Sequence, residues 1–322
     1  MGIIDSLSAG YRFLTRKLGL ILIPVTLDLL LWWLPRFSVA PLFQQAAQFY
    51  SDAAARTEMP GDMANMAQQV AQTLNEAGQH SNLLNLMLWI SGALLHLPSL
   101  LYVVEPPHGV ASQEMAGLAR VFGLGVLLIL AGIAIGVVYL TLLASQLPIG
   151  AASKSWHWRQ LPWLVLRHWL QLIAFLGLVV VALIAIFVPL SIGIALVSFI
   201  SSGLTTVLAF LFGGLITVLF LYLYFVPAGL ILDDLRLPRA IAQSFRLVRD
   251  NFWSTLGLIL LSELISLGFN TILGRLVAYE PLGTLAAIVV NAFIGSGLAM
   301  GFLIFYRSRV LLAQGEPLQM EI

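Results

Sequence analysis

The sequence predicts an all-α protein, a polytopic integral membrane helix bundle with six transmembrane helices. Hydrophobic residues fill 60% of its 322 positions and charged residues only 10%, whereas soluble domains have about a quarter charged residues. Apolar runs of bilayer length recur along the chain. Basic residues are concentrated in alternate connecting segments, which is typical of a multi-pass protein.

Six apolar runs are predicted to span the membrane, at residues 18–35, 121–146, 169–200, 204–232, 254–273 and 282–305. The first follows a short basic segment, as in a signal peptide, but Pro41 after the best cleavage site favours an uncleaved first span. The third exceeds the roughly 20 residues that a perpendicular helix needs, so we expect it to tilt, to kink at Pro189 or to protrude. The spans pair as three hairpins of one membrane domain covering 1–322, namely 1–150, 151–235 and 236–322.

Residues 37–120 are predicted to form an extracytoplasmic helical insertion. Turn signals divide it into three helical pieces. The second piece has the apolar stripe of a surface helix: Met63, Ala67, Val70, Leu74 and Ala77. The third, residues 82–104, is long enough to span, but Asn85, His96 and Pro98 interrupt its apolar run. We predict that it lies on the outer membrane surface, with a spanning helix as the alternative.

The distribution of basic residues predicts that both termini are cytoplasmic. Of the 16 lysines and arginines, twelve fall in segments predicted to be internal, and the external four are Arg36, Arg56, Arg120 and Arg275. Because cytoplasmic loops show such an excess, we place the chain in a bacterial cytoplasmic membrane. A seventh span at residues 82–104 would reverse part of the chain and remove this bias.

Residues 238–253 are predicted to form an amphipathic helix on the cytoplasmic membrane surface. One side is apolar and the other polar, at helical spacing: the apolar set is Ile241, Phe245, Val248 and Phe252, and the polar set is Arg239, Gln243, Arg246 and Asp250. Similar segments at 11–17 and 163–169 precede the first and third spans. The likeness indicates three copies of a surface helix followed by a hairpin. The alternative is that every inner boundary selects arginine and aromatic residues.

The same region resembles a known family. Residues 233–261, DDLRLPRAIAQSFRLVRDNFWSTLGLILL, resemble a segment of uncharacterised polytopic membrane proteins related to the membrane domain of glycerophosphodiester phosphodiesterases. The matching positions are Ala240, Ser244, Phe245, Leu247, Val248, Asn251 and Phe252. The opening RFLTRKLGLILIPVTLDLLLW is similar to the openings of hypothetical bacterial multi-pass proteins. The resemblance implies a fold type and no catalytic residues, since no segment is long enough for the phosphodiesterase barrel.

Polar residues inside predicted spans are the candidate intramembrane site: Asp28, Glu263, Ser266, Asn270 and Asn291. A carboxylate at the bilayer centre costs about 2.5 to 3.5 kcal/mol, so we expect these groups to face protein or water. One interpretation is that Asp28 and Glu263 carry protons or cations; the alternative is that one or both carboxyls are protonated and form hydrogen bonds between helices. Small residues at Gly132 and Gly136, and at Gly297 and Gly301, predict close helix packing.

A second candidate set is the basic residues of the three surface helices, which are predicted to contact anionic phospholipid headgroups: Arg12, Arg16, Lys17, Arg159, Arg167, Arg239, Arg246 and Arg249. The alternative is that they only determine topology. The net charge of +1 argues against nucleic acid as a partner. Absence of cysteine and of metal-binding histidine motifs predicts no cofactor and no metal.

No nucleophile, phosphate-binding loop or dinucleotide motif is present, so no catalytic residue is predicted. The favoured function is a non-catalytic membrane protein that acts as a scaffold, as an accessory subunit or in lipid organisation. Its partners would be the bilayer and other membrane protein subunits. The alternative function is a small secondary transporter or channel that uses the intramembrane carboxylates.

Overall fold

The computed structural model describes residues 2–56, 61–100, 112–147, 161–198 and 201–315. Within these ranges the regular secondary structure is helical apart from one pair of short strands. The chain begins with α1 (Ile3–Arg16), a 3-10 turn (Leu18–Ile21) and α2 (Leu22–Trp33). The insertion comprises β1 (Arg36–Ser38), α3 (Ala40–Arg56), α4 (Gly61–Gln79), α5 (Leu84–Leu95) and β2 (Ser112–Glu114). The later helices are α6 (Leu118–Ser145), α7 (Leu161–Ser198), α8 (Ser202–Leu223), α9 (Val226–Ile231), α10 (Leu237–Asp250), α11 (Phe252–Val277) and α12 (Leu282–Gln314).

Five of the predicted spans are helices long and apolar enough to cross a membrane: α6, α7, the joined α8 and α9, α11 and α12. The protein is therefore all-α and has the helices of a multi-pass integral membrane protein. The first predicted span is a shorter apolar segment, Leu18–Trp33, which begins with the 3-10 turn. Pro189 lies inside α7, a helix of 38 residues. At 1.5 Å per residue α7 is about 57 Å long, well beyond a bilayer core of about 30 Å.

Helix α12 is the centre of the bundle, because 72% of its apolar window is buried, against 28% or less in the other long helices. It crosses α1 at Gly10, which packs against Gly297 and Gly301 of α12. A Cβ atom added to Gly10 would lie 2.7 Å from the carbonyl oxygen of Gly297 and from the amide nitrogen of Gly301. The predicted packing role of the Gly297 and Gly301 pair is confirmed. Burial raises the pKa of Tyr11 to about 12, so its hydroxyl stays protonated and donates to the carbonyl oxygen of Ile294.

Helices α1 and α10 end in the same way. One residue with a φ of −133° interrupts the chain before the next apolar segment, Lys17 after α1 and Asn251 after α10. Residues 163–169, predicted as a short amphipathic helix that runs directly into the third span, are the first turns of the continuous α7 and are not set off by such a residue. Its buried face continues without a break into Leu172 and Phe175. The structural likeness thus links the first and third predicted units only.

The side of α10 that packs against the rest of the protein includes Ala240, Ser244 and Val248. Phe245, a member of the predicted apolar face, is 38% exposed. Ser244 Oγ donates to the carbonyl oxygen of Tyr222 (2.6 Å) and accepts from the backbone N–H of Phe225 (3.2 Å). Through these hydrogen bonds the small residues of α10 pack against the junction of α8 and α9. Phe245 is consequently turned outward, despite being the larger apolar side chain.

Helix α5 packs along the middle of α6 and is not the predicted surface helix. A Cβ atom at Gly132 would lie 2.7 Å from Met87 Cγ, and one at Gly136 would lie 2.4 Å from Leu95 Cδ1. The close approach predicted at these two glycines is confirmed. With 12 residues, α5 is about 18 Å long, too short for the spanning alternative, which needs about 30 Å.

After α5 the chain turns back along α12. His96 adopts the left-handed conformation (φ 54°) and its ring stacks on Phe302, with centroids 4.0 Å apart. Pro98 contacts Gly295, and Leu100 packs in a cluster with Ile288. Because 302, 295 and 288 are successively closer to the start of α12, residues 96–100 run towards that start.

The chain lies beside β1 twice, once just before α5 and again at β2. Before α5, the backbone N–H of Leu83 donates to the carbonyl oxygen of Phe37 (3.0 Å). Downstream, β2 pairs in parallel with β1, with Phe37 opposite Gln113. The short strands were not predicted, since three residues give no periodic signal. They show that the chain leaves β1, passes through α5 and returns to the same place.

Helices α3 and α4 pack against each other in the insertion. A Cβ atom at Gly78 would lie 2.8 Å from Phe43 Cβ, so the two helices are in close contact there. Ala71 and Gly78 are buried, whereas Val70 is 40% exposed. The buried side of α4 is therefore displaced from the predicted stripe, because its partner α3 selects the smaller residues.

Candidate functional site

A polar cluster surrounds Asp233, between α9 and α10. Its carboxylate accepts hydrogen bonds from Arg307 Nη1 (2.9 Å), from the Tyr306 hydroxyl (2.5 Å) and from Gln243 Nε2 (3.0 Å). The side chains of Arg307 and Asp233 are 18% and 13% exposed. A poorly solvated carboxylate with three donors is electrostatically satisfied. Asp233 therefore joins α10 to α12.

The adjacent Asp234 makes a second connection, to α7. It accepts a hydrogen bond from Arg167 Nη1 (3.1 Å), and His168 Nε2 lies 3.3 Å from its other oxygen. A left-handed backbone at Asp234 (φ 53°) turns the two neighbouring aspartates towards different helices. Arg167, predicted to contact headgroups, is thus paired within the protein. The acidic pair in the sequence was the available signal, but sequence analysis assigned it no partner.

Asp28 is buried in α2, with 1% of its surface exposed. Its carboxylate accepts from Ser99 Oγ (2.5 Å) and from the backbone N–H of Leu100 (2.9 Å). Ser99 and Leu100 belong to the extended segment that returns along α12. Leu100 lies outside the helices, so its backbone N–H has no helical acceptor. Asp28 supplies one, as irregular backbone inside a helix bundle requires.

The remaining predicted intramembrane residues are not joined to Asp28 by hydrogen bonds. Glu263 is exposed on α11 and has no hydrogen-bond partner among the described residues. Ser266 and Asn270 are half-buried on the same helix. Asn291 of α12 is buried, and its Nδ2 atom has no partner in the described part of the chain. The five candidates therefore form no single hydrogen-bonded site.

A buried histidine and an apolar cavity lie where α5, α7 and α8 meet. His96 Nε2 is 2.9 Å from the Tyr224 hydroxyl. Tyr224 also lines a cavity of about 340 Å³ whose walls are almost entirely apolar, including Trp89, Leu94 and Phe220. The chemistry of these walls suits hydrocarbon and provides no group for catalysis.

A larger cleft of about 630 Å³ lies between α10 and the C-terminal end of α12. Its walls include Arg239, Arg246 and Asp250 from α10, and Arg309 and Gln314 from α12. Arg239 and Arg246 are exposed and form no ion pair with any described residue. The cleft therefore contains Arg239 and Arg246, the two arginines on the predicted polar side of the amphipathic helix.

The other basic residues predicted to contact lipid have varied surroundings. Arg12 and Arg16 are exposed on α1. Lys17 donates to Gln146 at the end of α6 and lies over the Phe13 ring. Arg249 pairs with Asp250 at 3.1 Å. Arg159 lies outside the described residues.

Comparison with known protein families, with curated proteins and with solved structures found no match for this chain.

Proposed function

We propose that this chain is a non-catalytic protein of a bacterial cytoplasmic membrane that organises lipids or acts as a scaffold for another membrane subunit. The observation behind the proposal is that its interior polar groups are used to hold the fold. Asp28, Asp233 and Asp234 are each bonded to other elements of the chain. The sides of α7, α8 and α11 are uncovered, with 6 to 11% of their apolar windows buried, so they are available to lipid or a partner.

The proposed topology has six crossings, with Leu18–Trp33 as the first. Lys17, at its start, bonds to Gln146 at the end of α6. Trp32, near its end, packs with Leu273 and Ile288, at the opposite ends of α11 and α12. The segment therefore extends from one end of the bundle to the other. Residues from different segments predicted to be cytoplasmic form ion pairs, Arg167 with Asp234 and Arg307 with Asp233. Their location at one end of the bundle supports cytoplasmic termini.

In this topology the segment from α5 to Leu100 is re-entrant. It begins and ends beside β1 on the external side, and its turn at His96 lies inside the bundle against Phe302. Irregular backbone at membrane depth is tolerated where protein buries it, and Leu97 and Leu100 are 2% and 0% exposed. An even number of crossings and the distribution of basic residues are both preserved.

Extraction of the full chain in native membrane discs, followed by mass spectrometry of protein and lipid together, tests the proposed function. We expect either a membrane subunit or anionic phospholipid to be retained at a fixed ratio to the protein. A chain that is isolated without a protein partner and with lipid in the same proportions as the surrounding membrane would contradict both the scaffold and the lipid-organising role.

A secondary transporter or channel is the second candidate. It is favoured by one observation, the exposed carboxyl side chain of Glu263 in the middle of the apolar helix α11. In proteoliposomes, Glu263→Gln should then abolish a proton- or cation-dependent flux, whereas Glu280→Gln in the exposed loop before α12 should not. Wild-type protein that moves none of a broad panel of ions and metabolites would exclude this function.

A further inference from the structure

We propose that the cleft between α10 and the C-terminal end of α12 is a binding site for a phosphate group, presented either by a phospholipid headgroup or by a free anion. The inference deepens the proposed lipid-organising role and rests on it for the assignment of the cleft to the cytoplasmic surface. The binding itself depends only on the residues of the cleft.

Three arginines line the cleft, two from α10 and Arg309 from α12. Arg239 and Arg246 both line it, and a spacing of seven residues puts them on one side of α10, about 10.5 Å apart along the helix axis. Guanidinium groups bind phosphate oxygens through paired hydrogen bonds. Neither arginine has an ion-pair partner among the described residues, in contrast with Arg167 and Arg307.

The nearby carboxylates are already occupied. Asp250 lines the cleft, but it accepts a hydrogen bond from Arg249 at 3.1 Å. Asp233, at the other end of α10, is bonded to Arg307, Tyr306 and Gln243. Among the described residues, therefore, no acidic side chain pairs with Arg239 or Arg246, and both are available to an external anion.

The cleft also has the apolar surface that a lipid needs beside its phosphate. Leu247, Val310 and Ala313 line it together with the arginines. Outside it, Phe245 is 38% exposed and Trp253 is 79% exposed, and exposed aromatic residues are typical of the interface between membrane and water. This arrangement favours a phosphate attached to glycerol and acyl chains over inorganic phosphate.

The backbone that presents the two arginines is held in place. Ser244, between them in sequence, is bonded to Tyr222 and Phe225, and Gln243 is bonded to Asp233 and Tyr306. Binding therefore requires ordering of the arginine side chains and not of α10 itself, which reduces the entropic cost.

The test measures phosphatidylglycerol bound to the purified full chain in detergent by native mass spectrometry, with phosphatidylcholine as the neutral lipid. We expect preferential binding of phosphatidylglycerol, and a loss of roughly tenfold or more in its apparent affinity in the Arg239→Gln, Arg246→Gln double variant. The matched control is Arg120→Gln with Arg275→Gln, which removes the same charge from exposed positions at one end of α6 and one end of α11. Arg239→Lys with Arg246→Lys should retain much of the binding.

Competition by inorganic phosphate distinguishes the two sources of the group. Displacement of phosphatidylglycerol at millimolar phosphate indicates a free-anion site, and resistance indicates a headgroup site. Equal loss in the Arg120→Gln, Arg275→Gln control, or unchanged binding in the Arg239→Gln, Arg246→Gln variant with an unchanged melting temperature, would overturn the proposal. Should the glutamine variant unfold, phosphatidylglycerol binding to wild-type protein that is no tighter than phosphatidylcholine binding would overturn it as well. Neither result depends on whether a scaffold partner or a transport activity exists.

Discussion

Asp28 of α2 accepts a hydrogen bond at 2.9 Å from the backbone N–H of Leu100, 72 residues further along the chain. A second bond, from Ser99 Oγ, fills its other oxygen. The Asp28 carboxylate thus holds the segment that contains Ser99 and Leu100 against the centre of the bundle. No helix or strand of the described residues supplies an acceptor for the Leu100 backbone N–H. A buried carboxylate in a membrane helix here has a structural explanation that does not require transport.

Removal of this carboxylate should destabilise the protein. Asp28→Ala leaves the Leu100 N–H buried without an acceptor, which costs about 1 to 3 kcal/mol, so the melting temperature in detergent should fall. Asp28→Asn keeps one acceptor oxygen and should fall less. Thermal unfolding of the three proteins checks this order. Equal stability of Asp28→Ala and wild type would show that the bond makes no net contribution.

The re-entrant path predicts that both flanks of α5 are accessible from the same side. The chain has no cysteine, so single cysteines can be placed in the native background at the exposed positions Gln79, Gln113 and Gln314. A membrane-impermeant maleimide should label Gln79→Cys and Gln113→Cys in intact cells with a permeable outer membrane. Gln314→Cys should react only after the inner membrane is opened. Labelling of 79 and 113 from opposite sides would mean that this segment crosses.

The crossing of α1 and α12 should tolerate no side chain at its closest point. In Gly10→Ala the added methyl group would lie 2.7 Å from the carbonyl oxygen of Gly297. We therefore expect a loss of roughly 1 to 3 kcal/mol of stability from overpacking. Gly177→Ala is the matched control, since nothing lies within 4 Å of its Cβ position. Alanine there should be neutral or stabilising, because it is the better helix former. Melting temperatures of both variants measure the difference.

The two neighbouring aspartates should differ in their contribution to stability. Asp233→Ala leaves Arg307, 18% exposed, without its carboxylate and should cost about 3 kcal/mol. Asp234→Ala breaks a pair whose Arg167 side chain is 39% exposed, so solvent screening should limit the loss to about 1 kcal/mol. Urea or thermal unfolding of both variants compares them. A larger loss from Asp234→Ala would show that its contact with buried His168 dominates.

Several packing features could be predicted because they depend on short-range patterns. Spacing of four residues identified the glycine pairs at 132 and 136 and at 297 and 301, both of which make close contacts. The boundary between the surface helix and the fifth span, predicted after residue 253, lies close to Asn251, where α10 ends. Burial of Ser244 could not be predicted, because it depends on hydrogen bonds to Tyr222 and Phe225, which leave no hydrophobic pattern.

The candidate site was less predictable than the fold. Composition identifies an intramembrane carboxylate such as Asp28, but its function depends on what lies opposite, and Leu100 is distant in sequence. Arg167 and Arg239 look alike in the sequence, both basic residues in predicted amphipathic segments. In the structure one is paired with Asp234 and the other lines an open cleft.

The sequence by itself determined the all-α class, the positions of five long apolar helices and the amphipathic character of α1 and α10, because hydrophobic periodicity is a local property of the chain. Tertiary structure decided which helix is central, how α5 turns back at His96, and which charges are satisfied internally. Those outcomes depend on contacts between distant residues, such as Asp28 with Leu100 and Asp233 with Arg307. Local patterns contain no information about such partners.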